Sequence, residues 1–343
     1  MNSRRTASAF LLCALAGATV ALLPSCRDRR GEPGNDVVLY CSVDQDFAKG
    51  ILADFRKRTG IRVRVRFDEE ARKTTGLVMR LRAQADHPAA DVFWSSEIFQ
   101  TIRLAEEGIL APYDGPETQG WPVQFADPNG RWHAFALRAR VIAYDTRRVA
   151  PAEAPRKLED LLDARWKGRL VMARPQFGTT RGDVASWFVH YGPRRAKEIL
   201  RGLKANEVRF VQGNSTAVRM VAQGRADACF TDTDDVYVAQ RNGWPIAMSP
   251  LDQGGKGALA IPNTAALVAG GPNPARARKL LAFLLSEKVE LLLARSEAHN
   301  TPIRSHLARQ FPKYAIGKAL EVDYARIAAQ MPAAMRAVRE IFP

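Results

Sequence analysis

From Val37 onward the sequence alternates short apolar runs with segments of helical spacing, and that order restricts the fold more than any other feature. Val37, Val38, Leu39 and Tyr40 form a continuous apolar run of the kind found in strands buried on both faces. Phe47, Ile51, Leu52 and Phe55 then recur at helical spacing, with Gly60 placed where a helix would stop. Ile61, Val63, Val65 and Phe67 alternate with Arg62, Arg64 and Arg66, which predicts a half-exposed strand. A second helix is expected around Leu77, Val78, Leu81 and Ala85, a third strand over residues 91–94 and a third helix over 97–107. The β-α-β-α-β-α order requires parallel strands with helical crossovers, a doubly wound α/β unit. A second such unit is expected after Arg138. Its strands fall at residues 141–144, 170–173, 208–210 and 226–230, and its helices at 158–162, around Val184 to Phe188, and 217–223. Strands on either side of Pro262 and one long apolar helix over 274–293 follow.

The N-terminus speaks to compartment. Arg4 and Arg5 precede an apolar run from Ala9 to Leu23, the length of a secretory signal core and too short for a membrane span. Leu23, Pro24, Ser25 and Cys26 follow, similar to the lipid-attachment box of bacterial lipoproteins with Pro24 as a departure. Residues 1–25 are therefore expected to be a signal peptide and Cys26 the lipidated residue. Residues 26–35 would form a tether without apolar content between lipid and fold. The expected product is an exported lipoprotein, periplasmic or on the cell surface, held to a bacterial membrane through Cys26. Formal net charge is +15, yet the basic residues are scattered and no nucleic-acid-binding module is present. The excess is read as attraction to anionic headgroups in an arginine-rich chain. Of four cysteines, Cys41 and Cys229 remain in the folded part, as a disulfide or as two buried thiols. No serine-nucleophile elbow and no zinc-protease motif occurs, so an enzyme is not expected.

Several short pieces, in order and at their spacings, resemble the ferric-iron-binding family of periplasmic proteins, among the extracellular solute-binding proteins of bacterial ABC importers. They are the opening strand at 37–42, Thr59 with Gly60 and Ile61, Ala-Asp-Val-Phe-Trp at 90–94 and Glu-Gly-Ile-Leu-Ala-Pro at 107–112. Arg138 to Val141, Tyr144 with Asp145, Trp-Lys-Gly-Arg at 166–169, Asn214 and Ser215 with Gly224, and Asn-Thr-Pro-Ile-Arg at 300–304 complete them. The resemblance implies a type II-like periplasmic binding protein with two doubly wound α/β lobes joined by hinge strands. Lobe one would hold residues 36–137 and 263–308, lobe two residues 138–262 and 309–343. It implies a monomer that captures a solute between the lobes and delivers it to a membrane permease with its ATPase.

The same resemblance marks a ligand site and a departure from it. Ferric members carry two adjacent tyrosines where this chain has Asp234 and Asp235, with Tyr237 nearby but out of register. Asp44 stands in place of a histidine and Ser96 in place of a glutamate, with Glu97 one residue on. The expected cation ligands are thus Asp44, Glu97, Asp232, Asp234 and Asp235, because converging carboxylates repel unless a cation lies among them. Ser42, Ser96 and Tyr237 are further cleft candidates. An anion is expected at Arg138, Gly178, Thr179, Thr180 and Asn214, near a helix N-terminus whose N–H groups and dipole attract negative charge. The plainer reading of these residues is that the aspartates and threonines cap helices and that Arg138 forms an interlobe ion pair. Two ligands stay open. One is Fe³⁺ or another hard metal ion with a bound anion, carried as cargo and not as a catalytic cofactor. The other is a small charged organic solute such as an aminophosphonate or a thiamine-like cation.

Overall fold

A computed structural model describes residues 36–68 and 74–343. The signal peptide, Cys26 and the tether lie outside the described residues, as do Glu69, Glu70 and Lys73 at the entry to the second helix.

The first strand group is β1 (Asp36–Cys41), α1 (Gln45–Thr59), β2 (Arg62–Phe67), α2 (Thr75–Ala83), β3 (Val92–Ser95), α3 (Phe99–Glu106) and β4 (Leu110–Ala111). A long strand, β5 (His133–Asp145), leaves it. The second group is β6 (Leu170–Ala173), α4 (Gly178–His190), α5 (Gly192–Ala205), β7 (Arg209–Val211), α6 (Asn214–Ala222), β8 (Ala228–Asp232), α7 (Thr233–Arg241) and β9 (Ile246–Pro250). Strand β10 (Ala260–Val268) returns to the first group. Then follow α8 (Pro274–Leu284), α9 (Glu287–Arg295), α10 (Ser305–Ala308) and α11 (Tyr324–Ile341).

The strands run in the order β2-β1-β3-β10-β5-β8-β6-β7, with β4 on β10 and β9 on β5. β1 is parallel to β2 and β3, and β6 is parallel to β7 and β8. Between these parallel groups lie β10 and β5, antiparallel to each other and to their outer neighbours. Two parallel α/β units are thus joined through two crossing strands, the α/β architecture expected. The expected strands flanking Pro262 are one strand, with a register shift between Pro262 and Asn263. Such an irregularity is where a sheet accepts a residue that cannot donate to the ladder.

Because side chains alternate across a strand, each strand feeds two cores. Tyr40, Phe93, Ile142, Tyr144, Leu170 and Met172 face one continuous core that runs under both groups and takes in α3, α4, α5 and α11. The opposite face carries two separate cores. Leu39, Val92 and Trp94 pack with α1 and α8; Val141, Ala143 and Val171 pack with α6 and α7. The continuous layer is tight: Gly182 of α4 has no side chain because the Phe99 ring of α3 occupies the place of its Cβ. Cys41 and Cys229 lie in the two separate cores and do not bridge each other.

Other local expectations shift. α1 ends at Gly60, whose φ of 69° is the left-handed stop anticipated for it. The expected long helix over 274–293 is two helices, because Ser286 between them is extended. α5 and α11 are amphipathic helices not anticipated from the sequence, although Ala196, Ile199, Leu200 and Leu203 mark the buried stripe of α5.

Candidate functional site

In doubly wound sheets the loops beyond the carboxyl ends of parallel strands converge. Here five of them do. Asp44 follows β1, Ser96 follows β3, residues 174–180 follow β6, residues 212–214 follow β7, and Asp234 and Asp235 follow β8. Together with Arg138 of β5 they line one cavity of about 490 Å³. Of the residues expected from the sequence, Asp44, Ser96, Arg138, Gly178, Thr179, Thr180, Asn214, Asp234 and Asp235 all line it.

Three helices begin at this cavity. Gly178, Thr179 and Thr180 are the first turn of α4, where a loop was expected. Asn214 is the first residue of α6, after Gly213, so this helix starts three residues before the expected Ala217. Asp234 and Asp235 lie in the first turn of α7. Helix N-termini carry unpaired N–H groups and partial positive charge, which stabilises both the aspartates and any anion arriving there.

Beneath the cavity lies a buried charge network organised by Asp232. Its carboxylate accepts from Arg140 Nη1 at 2.7 Å, Thr179 Oγ1 at 2.7 Å, Asn214 Nδ2 at 3.0 Å and Arg138 Nε at 3.3 Å. Arg140 also donates to Asp183 at 3.0 Å, and Asn214 Nδ2 to Thr179 Oγ1 at 3.0 Å. Burial opposes charge on Asp232, but the Arg140 and Arg138 guanidiniums outweigh it and hold the carboxyl below its usual range. Asp232 occupies the N-cap position of α7 yet makes no side-chain cap there. Its oxygens are engaged by four side chains, which makes it the organiser of the site's floor, with Asp234 and Asp235 beside it. Arg140, which the sequence reading did not select, is as central: it is 1% exposed and its side chain is on the same face of β5 as that of Arg138. Two arginines spaced i, i+2 on one strand were the available signal.

Arg138 links the two strand groups. It donates from Nη2 to the Ser96 carbonyl beyond β3, and from Nε to Asp232, with Asp234 Oδ2 3.5 Å away. Both carboxylates it pairs with follow β8 in the second group, so the ion pair expected across the lobes is not seen; the link to the first group is the hydrogen bond to the Ser96 carbonyl, and Arg138 lines the cavity as well. Carboxylate oxygens of Asp232, Asp234 and Asp235 come within 4.8 Å of one another. Asp235 accepts from Thr231 Oγ1 at 2.8 Å, and Asp234 from the Asp235 N–H at 3.1 Å, which fixes both side chains.

Besides Asp232, the structure keeps three expected residues away from the cavity wall. Glu97 is buried and turns into α3, accepting from the Phe99 N–H at 2.7 Å and the Gln100 N–H at 3.2 Å. Ser42 is buried behind Ser96, 3.3 Å from its hydroxyl. Tyr237 lies one turn into α7 and packs edge-on against His299 and Tyr314, with ring centroids 5.4 and 5.0 Å away. Conversely, Arg174, Phe177, Gln212 and Gly213 line the cavity and were not singled out. Their positions directly after β6 and β7 were the signal.

Burial raises the Glu97 carboxyl from 4.5 to about 7, against the two backbone donors that favour its charge. The unfolded chain loses this proton near pH 4.5 and the folded protein near pH 7. Stability therefore falls as pH rises through that window and is level above it. Glu97→Gln is expected to flatten this part of a urea-midpoint profile and to be more stable than the parent above pH 7. An unchanged slope between pH 5 and 7 would remove Glu97 as its source.

Residues 87–327 match the family model described as bacterial extracellular solute-binding protein. The chain is 28% identical over 279 residues to iron uptake protein A1 of Synechocystis, covering 78% of this chain and 76% of that one. It is 26% identical over 317 residues to the major ferric iron-binding protein of Neisseria meningitidis serogroup B, covering 90% of each. The crystal structure of iron-bound HitA from Pseudomonas aeruginosa superposes with a TM-score of 0.80 at 25% identity, covering 90% of this chain and 99% of that one.

Proposed function

Because this chain belongs to the bacterial extracellular solute-binding protein family, we propose that it is the receptor of an ABC importer that captures ferric iron or another hard metal ion together with an anion. The observation that carries this reading is the composition of the cavity. Asp44, Asp234 and Asp235 offer hard oxygen donors, and the N-termini of α4 and α6 with Arg138 and Arg174 offer an anion site in the same cavity. Hard trivalent and divalent cations prefer oxygen ligands. A bound anion would complete the shell and neutralise the arginines. The ferric-iron-binding relatives support iron over other cations. The two strand groups act as lobes, 36–137 with 263–308 and 138–262 with 309–343, closing about β5 and β10 as hinge strands. The receptor works as a monomer, anchored by lipid on Cys26 in the periplasm or at the cell surface, and hands its cargo to a permease with its ATPase. It acts as a carrier and not as an enzyme.

One observation favours a second reading. No tyrosine or histidine lines the cavity among the described residues, while Phe177 adds an apolar wall. A small organic solute of mixed charge, such as an aminophosphonate, would place its anionic end at Thr179, Thr180 and Asn214 and its ammonium at Asp234 and Asp235. A thiamine-like cation would use the aspartates alone.

Metal analysis separates the two. After incubation with ferric citrate and desalting, the protein is expected to retain about one iron per chain. No retention of iron, ferrous ion or manganese, with tight binding of an aminophosphonate, would replace the first reading by the second.

A further inference from the structure

A second surface of this chain carries a basic, partly apolar groove. Strand β2 is the outer edge of the sheet, and its residues alternate exposed Arg62, Arg64 and Arg66 with half-buried Val63, Val65 and Phe67. Between this strand and α1 runs an open groove of about 940 Å³. Val63, Val65 and Phe67 form its floor, and Lys49, Arg56, Lys57 and Arg62 its rim. No carboxylate lines it among the described residues. Two acids of the flanking strand and helix are engaged, one of them with Arg62 of the rim. Asp36 is paired with Arg62 at 2.6 Å and Arg64 at 3.4 Å, and Asp54 with Arg58 at 2.9 Å and Lys288 at 2.6 Å.

We propose that this groove seats the protein on an anionic phospholipid surface. A cationic rim over an apolar floor matches phosphate headgroups above acyl chains, and juxtamembrane lysines and arginines gain roughly fivefold in binding each at such a surface. Chain connectivity brings the surface close. The proposed lipid anchor, Cys26, precedes Asp36 by ten positions, and Asp36 is in register with Arg62 of the groove. A segment of that length reaches at most about 35 Å. The strand direction fits the same orientation, since β1 runs from Asp36 toward Asp44 and the solute cavity lies at the end away from the tether. The inference rests on the anchored-receptor reading for this geometry.

The test uses the full, host-processed chain with vesicles of phosphatidylcholine alone or mixed with phosphatidylglycerol. Amide hydrogen exchange over residues 45–67 is the readout. Exchange is expected to slow on the anionic vesicles only, less so at high salt. Arg56→Glu with Lys57→Glu is expected to reduce that protection by about tenfold or more, leaving iron retention unchanged. Equal protection on both vesicles, no effect of the double variant, or protection that appears only with an acidic protein partner would overturn the proposal. The anchor is read separately by flotation: a chain that does not float with phosphatidylcholine vesicles lacks it, while the phosphatidylglycerol-dependent signal still decides the groove.

Discussion

Asp232→Ala is expected to destabilise the protein by about 3–5 kcal/mol, the usual cost of removing one partner from a buried ion pair. The size follows from what stays behind. Arg138 and Arg140 are 5% and 1% exposed, and Asp232 is the carboxylate that both of them share. Asp183 would still compensate part of the Arg140 charge, and Asp234 part of that on Arg138. Thr179 and Asn214 would lose their common acceptor, so the first turns of α4 and α6 would lose their mutual alignment. Urea unfolding reads the stability loss. Asp232→Asn keeps the shape while removing the charge, and it is expected to fold with an intermediate loss. If Asp232 is a cargo ligand and not an organiser, Asp232→Asn will keep its stability in the absence of iron and lose only binding.

Asp234→Asn combined with Asp235→Asn is expected to abolish iron retention, a loss of at least about a hundredfold in affinity, since two anionic oxygen donors become neutral amides. Stability should change little, because both side chains are partly exposed and asparagine is accepted in the first turn of a helix. Metal analysis after desalting and a urea titration of the same sample separate binding from folding. Retention equal to that of the parent would move the metal site away from α7. Loss of aminophosphonate binding without any iron binding in the parent would instead assign the same aspartates to an ammonium group.

Much of the site was legible because a doubly wound sheet brings strand ends together by rule. The family resemblance marked Asp44, Ser96, Gly178 and Asp234, each just after a strand recognised in the sequence, and all four line the cavity. What failed were distinctions that depend on side-chain direction. Asp232 and Asp234 are two residues apart in one acidic run, yet one is buried under two arginines and the other lines the cavity. Glu97 follows Ser96, yet it bends back to the open N–H groups of α3 while Ser96 stays on the wall. A one-residue step at a strand end changes the face, and periodicity does not extend past that end.

The sequence by itself determined the alternation of the main strands and helices, though not α5, α11 or the break at Ser286, and the parallel groups that follow from it. Those depend on local periodicity and on connections of fixed hand, and both are written along the chain. Tertiary structure alone decided which charges meet. Arg140 and Asp232 are 92 positions apart, and Arg138 reaches the carbonyl of Ser96 across 42. Such pairings are set by the antiparallel register of β5 against β8 and by how β10 joins the two groups, and no local spacing encodes either.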